Sequence, residues 1–306
     1  MKMMKTYLRP IRRAAFACLC LATSLSGHVM AQPPLPNEQE PLPAQAPLPP
    51  AYPPAELDRI VSPIALYPDP LLAQVLTAAT YSDQIPEAAR WADQHHYLSP
   101  DALAAAIAAD QVPWDPSVQA LLPFPSVLEM MSSDPAWTQE LGTAVLAQRP
   151  DVMDAVQRMR QKARDFGYLR STSAFTVSGG PYIEILPVDP GFIVVPYYDP
   201  ALVFVAPRRG VVVSGAIRVG FGVRLGVAFA PWGWGSTRFG WGEHAIIVNN
   251  ARWDRTWANR AVYVHPYVVR GHGGPRPPEG HRQIGRSPRE REDARMGRPS
   301  REEHRR

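Results

Sequence analysis

Cysteine is nearly absent: the 306 residues hold two, Cys18 and Cys20, both close to the N-terminus. That excludes a disulfide scaffold and a Cys-ligated metal site over the rest of the chain. Acidic residues are missing from the first 31 positions. Glycine is scarce from 55 to 170, where only Gly142 and Gly167 occur. Large aliphatics nearly vanish after 270, leaving Ile284 and Met296, so 271–306 cannot bury a core and is expected to be disordered. No GxSxG elbow, HExxH, phosphate loop or EF-hand occurs. The apolar run Ala14–Leu25 is 12 residues, shorter than the roughly 20 a spanning helix needs.

The same N-terminal stretch has the layout of a secretory signal peptide, residues 1–31. Lys2, Lys5, Arg9, Arg12 and Arg13 precede the apolar run, and Val29-Met30-Ala31 supplies small residues for cleavage. Ala15-Phe16-Ala17 before Cys18 is a poor lipidation signal. Removal of 1–31 changes the charge from +4 to −1, so the basic isoelectric point does not indicate a nucleic-acid partner. An exported protein of the periplasm or cell envelope of a Gram-negative bacterium is expected.

Proline is abundant instead, at 35 residues. Ten lie in 32–54, which reads as an extended linker. From 55 to 170 the chain is rich in Ala, Leu and Val, and prolines follow Asp69, Ser99, Asp115 and Asp134. A capping oxygen before a proline is a helix start. Pro86, Pro125 and Pro150 read as further starts, and Val152, Val156, Met159, Ala163 and Phe166 repeat at helical spacing. The expectation is an α+β protein, with an N-terminal all-α domain of about seven short helices over 55–170. A small β unit over 171–209 follows, from short apolar runs such as Phe192–Val195 separated by Asp-Pro turns.

Residues 210–270 form a Gly/aromatic-rich region, β or membrane-associated. Apolar residues at odd positions from Val211 to Phe229 alternate with small or charged ones, which favours strand or hairpin with one apolar face. A spanning helix over 210–230 would place Arg218 and Arg224 near mid-bilayer, at about 2.5–3.5 kcal/mol each. Charge is also segregated. Residues 55–170 hold 8 basic and 15 acidic side chains; 171–306 hold 19 and 11.

Ile64-Ala65-Leu66-Tyr67-Pro68-Asp69-Pro70-Leu71-Leu72 and Val75–Tyr81 are followed by Trp114-Asp115-Pro116-Ser117-Val118, Trp137-Thr138, Leu141-Gly142 and Val195-Pro196-Tyr197-Tyr198-Asp199-Pro200. In that order these resemble the bacterial family catalogued as domain of unknown function 3300, well over about 55–206 and loosely beyond. Ser82 stands where the pattern has Pro, and Ala174-Phe175 replaces a polar pair. The resemblance implies an exported envelope protein, sometimes membrane-associated, and supplies no activity and no catalytic residues.

Tyr67 and Asp69 are candidate binding residues, against the simpler reading that Asp69 caps a helix and Tyr67 packs. Trp232, Trp234 and Trp241 are candidates for stacking on envelope glycan, against the reading that they cover a small sheet. His95-His96 is the only adjacent His pair, but neighbours on a helix diverge by about 100° and suit a polar helix end better than one shared ion. No catalytic, cofactor or metal residue is assigned. The leading expectation is a non-enzymatic binding or scaffolding module tethered to membrane or wall. Its partner would be an envelope protein or an anionic envelope polymer or lipid, with possible self-association of the acidic and basic halves and no nucleic acid. The alternatives are an envelope hydrolase acting on wall or lipid, and an integral membrane component through 210–230.

Overall fold

A computed structural model describes residues 48–208, 215–265, 267 and 269. The signal-like segment, most of the proline-rich linker and the C-terminal tail lie outside the described residues.

Proline sets the rhythm of the helices. α1 (Pro54–Val61), α2 (Asp69–Ala79), α3 (Ile85–His95), α4 (Pro100–Asp110), α5 (Pro116–Gln119), α6 (Pro125–Ser133) and α7 (Pro135–Asp165) each carry proline in their first two positions. Ser99, Asp115 and Asp134 accept from backbone N–H groups of Ala102, Ser117 and Trp137, as the spacing predicts. Asp69 does not. It is the first residue of α2, makes no cap, and its carboxylate turns into the core.

α7 is really two helices joined at a kink. Gln148 leaves the helical region (φ −140°, ψ 43°) just before Pro150. Pro150 lacks the N–H that would reach the carbonyl of Leu146. That carbonyl accepts instead from the Trp257 backbone N–H at 2.8 Å. The break therefore creates an attachment point for a segment more than 100 residues away.

α2 is the central element, buried at every position except Pro70. α7 crosses it at Gly142, where a Cβ would lie 2.0 Å from the Ala79 carbonyl oxygen. Only glycine permits that approach.

Three small antiparallel sheets follow. β1 (Phe175–Val177) pairs with β2 (Ile185–Pro187), Thr176 opposite Leu186. β3 (Phe192–Tyr197) pairs with β4 (Arg218–Arg224), with an irregularity between Val194 and Pro196. The short α8 (Pro200–Val203), capped by Asp199, follows β3. β5 (Arg238–Gly240), β6 (Ala245–Val248) and β7 (Ala251–Arg252) form a meander. Its last turn, Asn249-Asn250, has positive φ at both residues, as a tight hairpin turn requires. The architecture is α+β.

Residues 210–230 depart from the expected continuous alternation. Residues 210–214 lie outside the described residues; of the rest only Arg218–Arg224 is strand, and Gly226 (φ 56°) then turns the chain into a 3-10 helix over Val227–Trp232. The expected apolar face is not uniform either. Val219 and Val227 are exposed, while Gly220 and Gly222 lie under the rings of Tyr197 and Phe192 across the ladder. The small residues are there because cross-strand aromatics cover them. Strand pairing of 218–224 also removes the alternative of a spanning helix through this stretch. Among the described residues no helix is long and apolar enough to cross a membrane.

The helices and the β-rich segment share one core. Leu57, Leu72 and Val145 belong to the same buried cluster as Phe229, Trp234 and Trp253. A second cluster, around Leu66, Ala163, Phe175 and Ile185, lies where α7 meets β1 and β2.

Candidate functional site

The second half of α7 has two chemistries on two faces. Val152, Val156, Met159 and Ala163 point inward at helical spacing. Asp154, Gln157, Arg158, Gln161, Lys162 and Arg164 line a cleft of about 560 Å³. Its opposite wall is the loop Gly180-Pro181 to Ile183. Gln157 fixes that wall: its amide donates to the Ile183 carbonyl at 3.1 Å and accepts from the Ile183 N–H at 2.8 Å.

The charge of the cleft is lopsided. Asp58 of α1 is shared, 2.8 Å from Arg158 and 3.1 Å from Lys162. Two cations thus lean on one carboxylate, which is more buried (18% side-chain exposure) than either (39% and 46%). Arg164 donates to the Gln161 side-chain oxygen at 2.6 Å, a neutral partner. Asp154 faces His244 at 2.9 Å. Three cations with one carboxylate lining and one beneath leave net positive charge facing solvent.

Under the cleft lies a buried polar hub. Arg160 is fully buried. Its guanidinium donates to Asp69 Oδ1 at 2.6 Å and to the carbonyls of Ala65 (2.8 Å), Ile183 (2.7 Å) and Tyr67 (2.9 Å). The second oxygen of Asp69 accepts from the Trp241 indole N–H at 3.0 Å, and Ile185 N–H reaches Oδ1 at 3.3 Å. The guanidinium also lies 5.1 Å from the Trp241 ring centre. One ion pair therefore joins α2, α7, β2 and the turn after β5, and through the Ile183 carbonyl it anchors the opposite wall of the cleft.

The residues singled out in the sequence fall into this framework. Tyr67, Asp69, Trp232, Trp234 and Trp241 are all buried. Burial pushes the Tyr67 phenol well above its usual pKa. The Trp232 indole N–H donates to Gln119 Oε1, and that of Trp234 to the Ala120 carbonyl, each at 2.9 Å. Asp69 and Trp241 meet directly; Trp232 and Trp234 sit together over α5 instead. His95 stacks on Trp91 at 3.9 Å and His96 bonds the Asp93 carbonyl. Among the described residues no three His, Cys, Asp or Glu side chains converge as a metal site.

A family profile described as "Protein of unknown function (DUF3300)" matches residues 53–267. This chain belongs to that family. Among curated proteins the DUF3300 chain is similar to "Uncharacterized protein YacH" of Escherichia coli (strain K12), 33% identical over 223 residues. The match covers 58% of this chain and 36% of the relative, so the chain spans about a third of that protein's length. No solved structure matches.

The DUF3300 cleft was hidden in the sequence by averaging. Residues 55–170 are acidic overall, yet six of their eight basic residues fall in 149–170 against three acidic ones. A shorter charge window would have found this. Asp58 and the loop at 180 carry no local signal, because tertiary packing alone brings them to α7.

Proposed function

We propose that this DUF3300 protein is a non-enzymatic, exported binding module of the cell envelope, and that the α7 cleft holds phosphate or carboxylate groups of an envelope polymer or lipid headgroup. The observation that carries the reading is the cleft's uncompensated charge, with Arg158 and Lys162 sharing one carboxylate and Arg164 facing only an amide. A forked guanidinium suits bidentate contact with such oxyanions. The leader-like composition of 1–31 supports export.

The test is co-sedimentation of the chain with anionic lipid vesicles and with isolated sacculi. The triple variant Arg158→Gln, Lys162→Gln, Arg164→Gln is compared with wild type. Wild type should bind one of the two, and should release as salt shortens the Debye length from about 8 Å at 0.15 M to about 3 Å at 1 M. Equal retention of the triple variant, or retention indifferent to salt, would overturn the reading.

A further inference from the structure

Residues 255–265, with Tyr267, lie across the helices as a strap, tied by polar contacts and by the rings of Tyr263 and Tyr267 against the core. Arg255 donates to the Thr80 carbonyl (2.6 Å) and hydroxyl (2.9 Å) at the end of α2, and its guanidinium lies 3.7 Å from the Tyr81 ring centre. Trp257 N–H fills the carbonyl freed by Pro150, and Tyr267 Oη donates to the Trp232 carbonyl at 3.2 Å. Between these ties the pattern is inverted. Val262 and Val264 are about four-fifths exposed (78% and 80%), whereas Tyr263, His265 and Tyr267 turn inward.

His265 is the exceptional member. Its side chain is only 6% exposed, and neither ring nitrogen makes a hydrogen bond of normal geometry. Asp115, before α5, is the nearest carboxylate, with Oδ1 3.7 Å from Nε2, beyond hydrogen-bond reach. That oxygen already accepts from the N–H and hydroxyl of Ser117. The titratable rings against it are Tyr263 and Tyr267 of the strap, at 6.3 and 4.4 Å between ring centres; Tyr81 after α2, Arg149 of α7, Asp254 and Arg255 form the next circle, interacting with Tyr263 or Asp115. Burial pushes the Tyr263 phenol up to about 12 and those of Tyr81 and Tyr267 higher still, so these hydroxyls stay neutral near physiological pH.

We propose that this strap is an acid-released latch: protonation of His265 detaches it from α2 and α5 while the helices stay folded. A neutral imidazole is tolerated in the buried slot, whereas an imidazolium there is desolvated and compensated only by Asp115 at 3.7 Å and a backbone contact with Tyr267. Burial accordingly holds the ring below its usual 6.5, only partly offset by Asp115 and by the Tyr267 backbone. For a base depressed in the docked state, docking is complete above about pH 6.5 and weakens as pH falls below it. This inference is independent of the anion-binding reading.

The test is amide hydrogen exchange of the full chain between pH 8 and 5, corrected for intrinsic exchange. Wild type should lose at least about tenfold protection in peptides covering 255–265 as pH drops below 6.5, with α1 and α6 unchanged. His265→Gln and His265→Val, which cannot take the proton, should keep that protection at pH 5. Three results would each overturn the latch: wild-type protection flat with pH, both variants losing it in parallel with wild type, or both being open at every pH. The last would make the imidazole a packing element only.

Discussion

Replacing Asp69 by Ala isolates the buried hub. The change leaves the Arg160 guanidinium fully buried with three backbone carbonyls and no counter-charge. Removing one partner of a buried pair costs about 3–5 kcal/mol. The indole N–H of Trp241 and the N–H of Ile185 also lose their acceptor. An orphaned buried donor costs about 1–3 kcal/mol on its own. These terms share one site and do not simply add, so the expectation is a loss of no less than about 3 kcal/mol. With a urea m-value of about 2 kcal/mol/M, the midpoint should fall by about 1.5 M or more. Tryptophan fluorescence reports the transition directly, since Trp241 sits on the hub. The double variant Asp69→Leu, Arg160→Met provides the control. Removing both charges should cost less than removing Asp69 alone, because no buried charge is stranded. A midpoint for Asp69→Ala within about 0.5 M of wild type would refute the reasoning.

Gly142→Ala should destabilise through the backbone, since its Cβ would meet the Ala79 carbonyl oxygen at 2.0 Å. Overpacking of this kind costs about 1–3 kcal/mol, and an unchanged thermal midpoint would contradict the close crossing of α2 and α7. Alkaline sensitivity follows from Tyr67 and Tyr198, whose phenols burial holds above the usual 10. The folded state keeps those protons longer than the unfolded chain, so stability is full below about pH 10 and falls as pH rises above it. Urea midpoints at pH 9 and 11 should show that drop. Tyr198→Phe should lessen it while sacrificing the hydroxyl's bond to the Ser62 carbonyl at 2.8 Å.

Helix starts were the most legible part of the sequence, because proline and its preceding acceptor act within three residues. Ser99, Asp115 and Asp134 cap as their spacing implies. Asp69 shows where that logic ends. The same Asp-Pro dipeptide places its carboxylate beside a residue 91 positions later. Nothing local distinguishes a cap from a counter-ion; Arg160 on the inward face of a predicted helix was the available hint, and its neighbours Arg158 and Lys162 masked it. Likewise, period-2 alternation in 210–230 could not reveal that Gly220 and Gly222 are ring-covered, since Phe192 and Tyr197 reach them only after pairing. The Trp residues were legible as an aromatic cluster but not as donors to Gln119, Ala120 and Asp69.

Those three indoles impose a schedule on the molecule. Trp232, Trp234 and Trp241 bond groups 113 to 172 positions earlier in the chain, and Arg255 reaches back 175. Helical segments made or delivered first cannot complete their core until the last quarter of the domain arrives. Such long-range closure makes folding slow relative to a local helical bundle. An emerging chain therefore stays open, with the apolar faces of α2 and α5 uncovered, until its C-terminal tryptophans are present. A truncation after Pro207 would trap that open state, and would be a lesion of folding rather than the removal of an appendage.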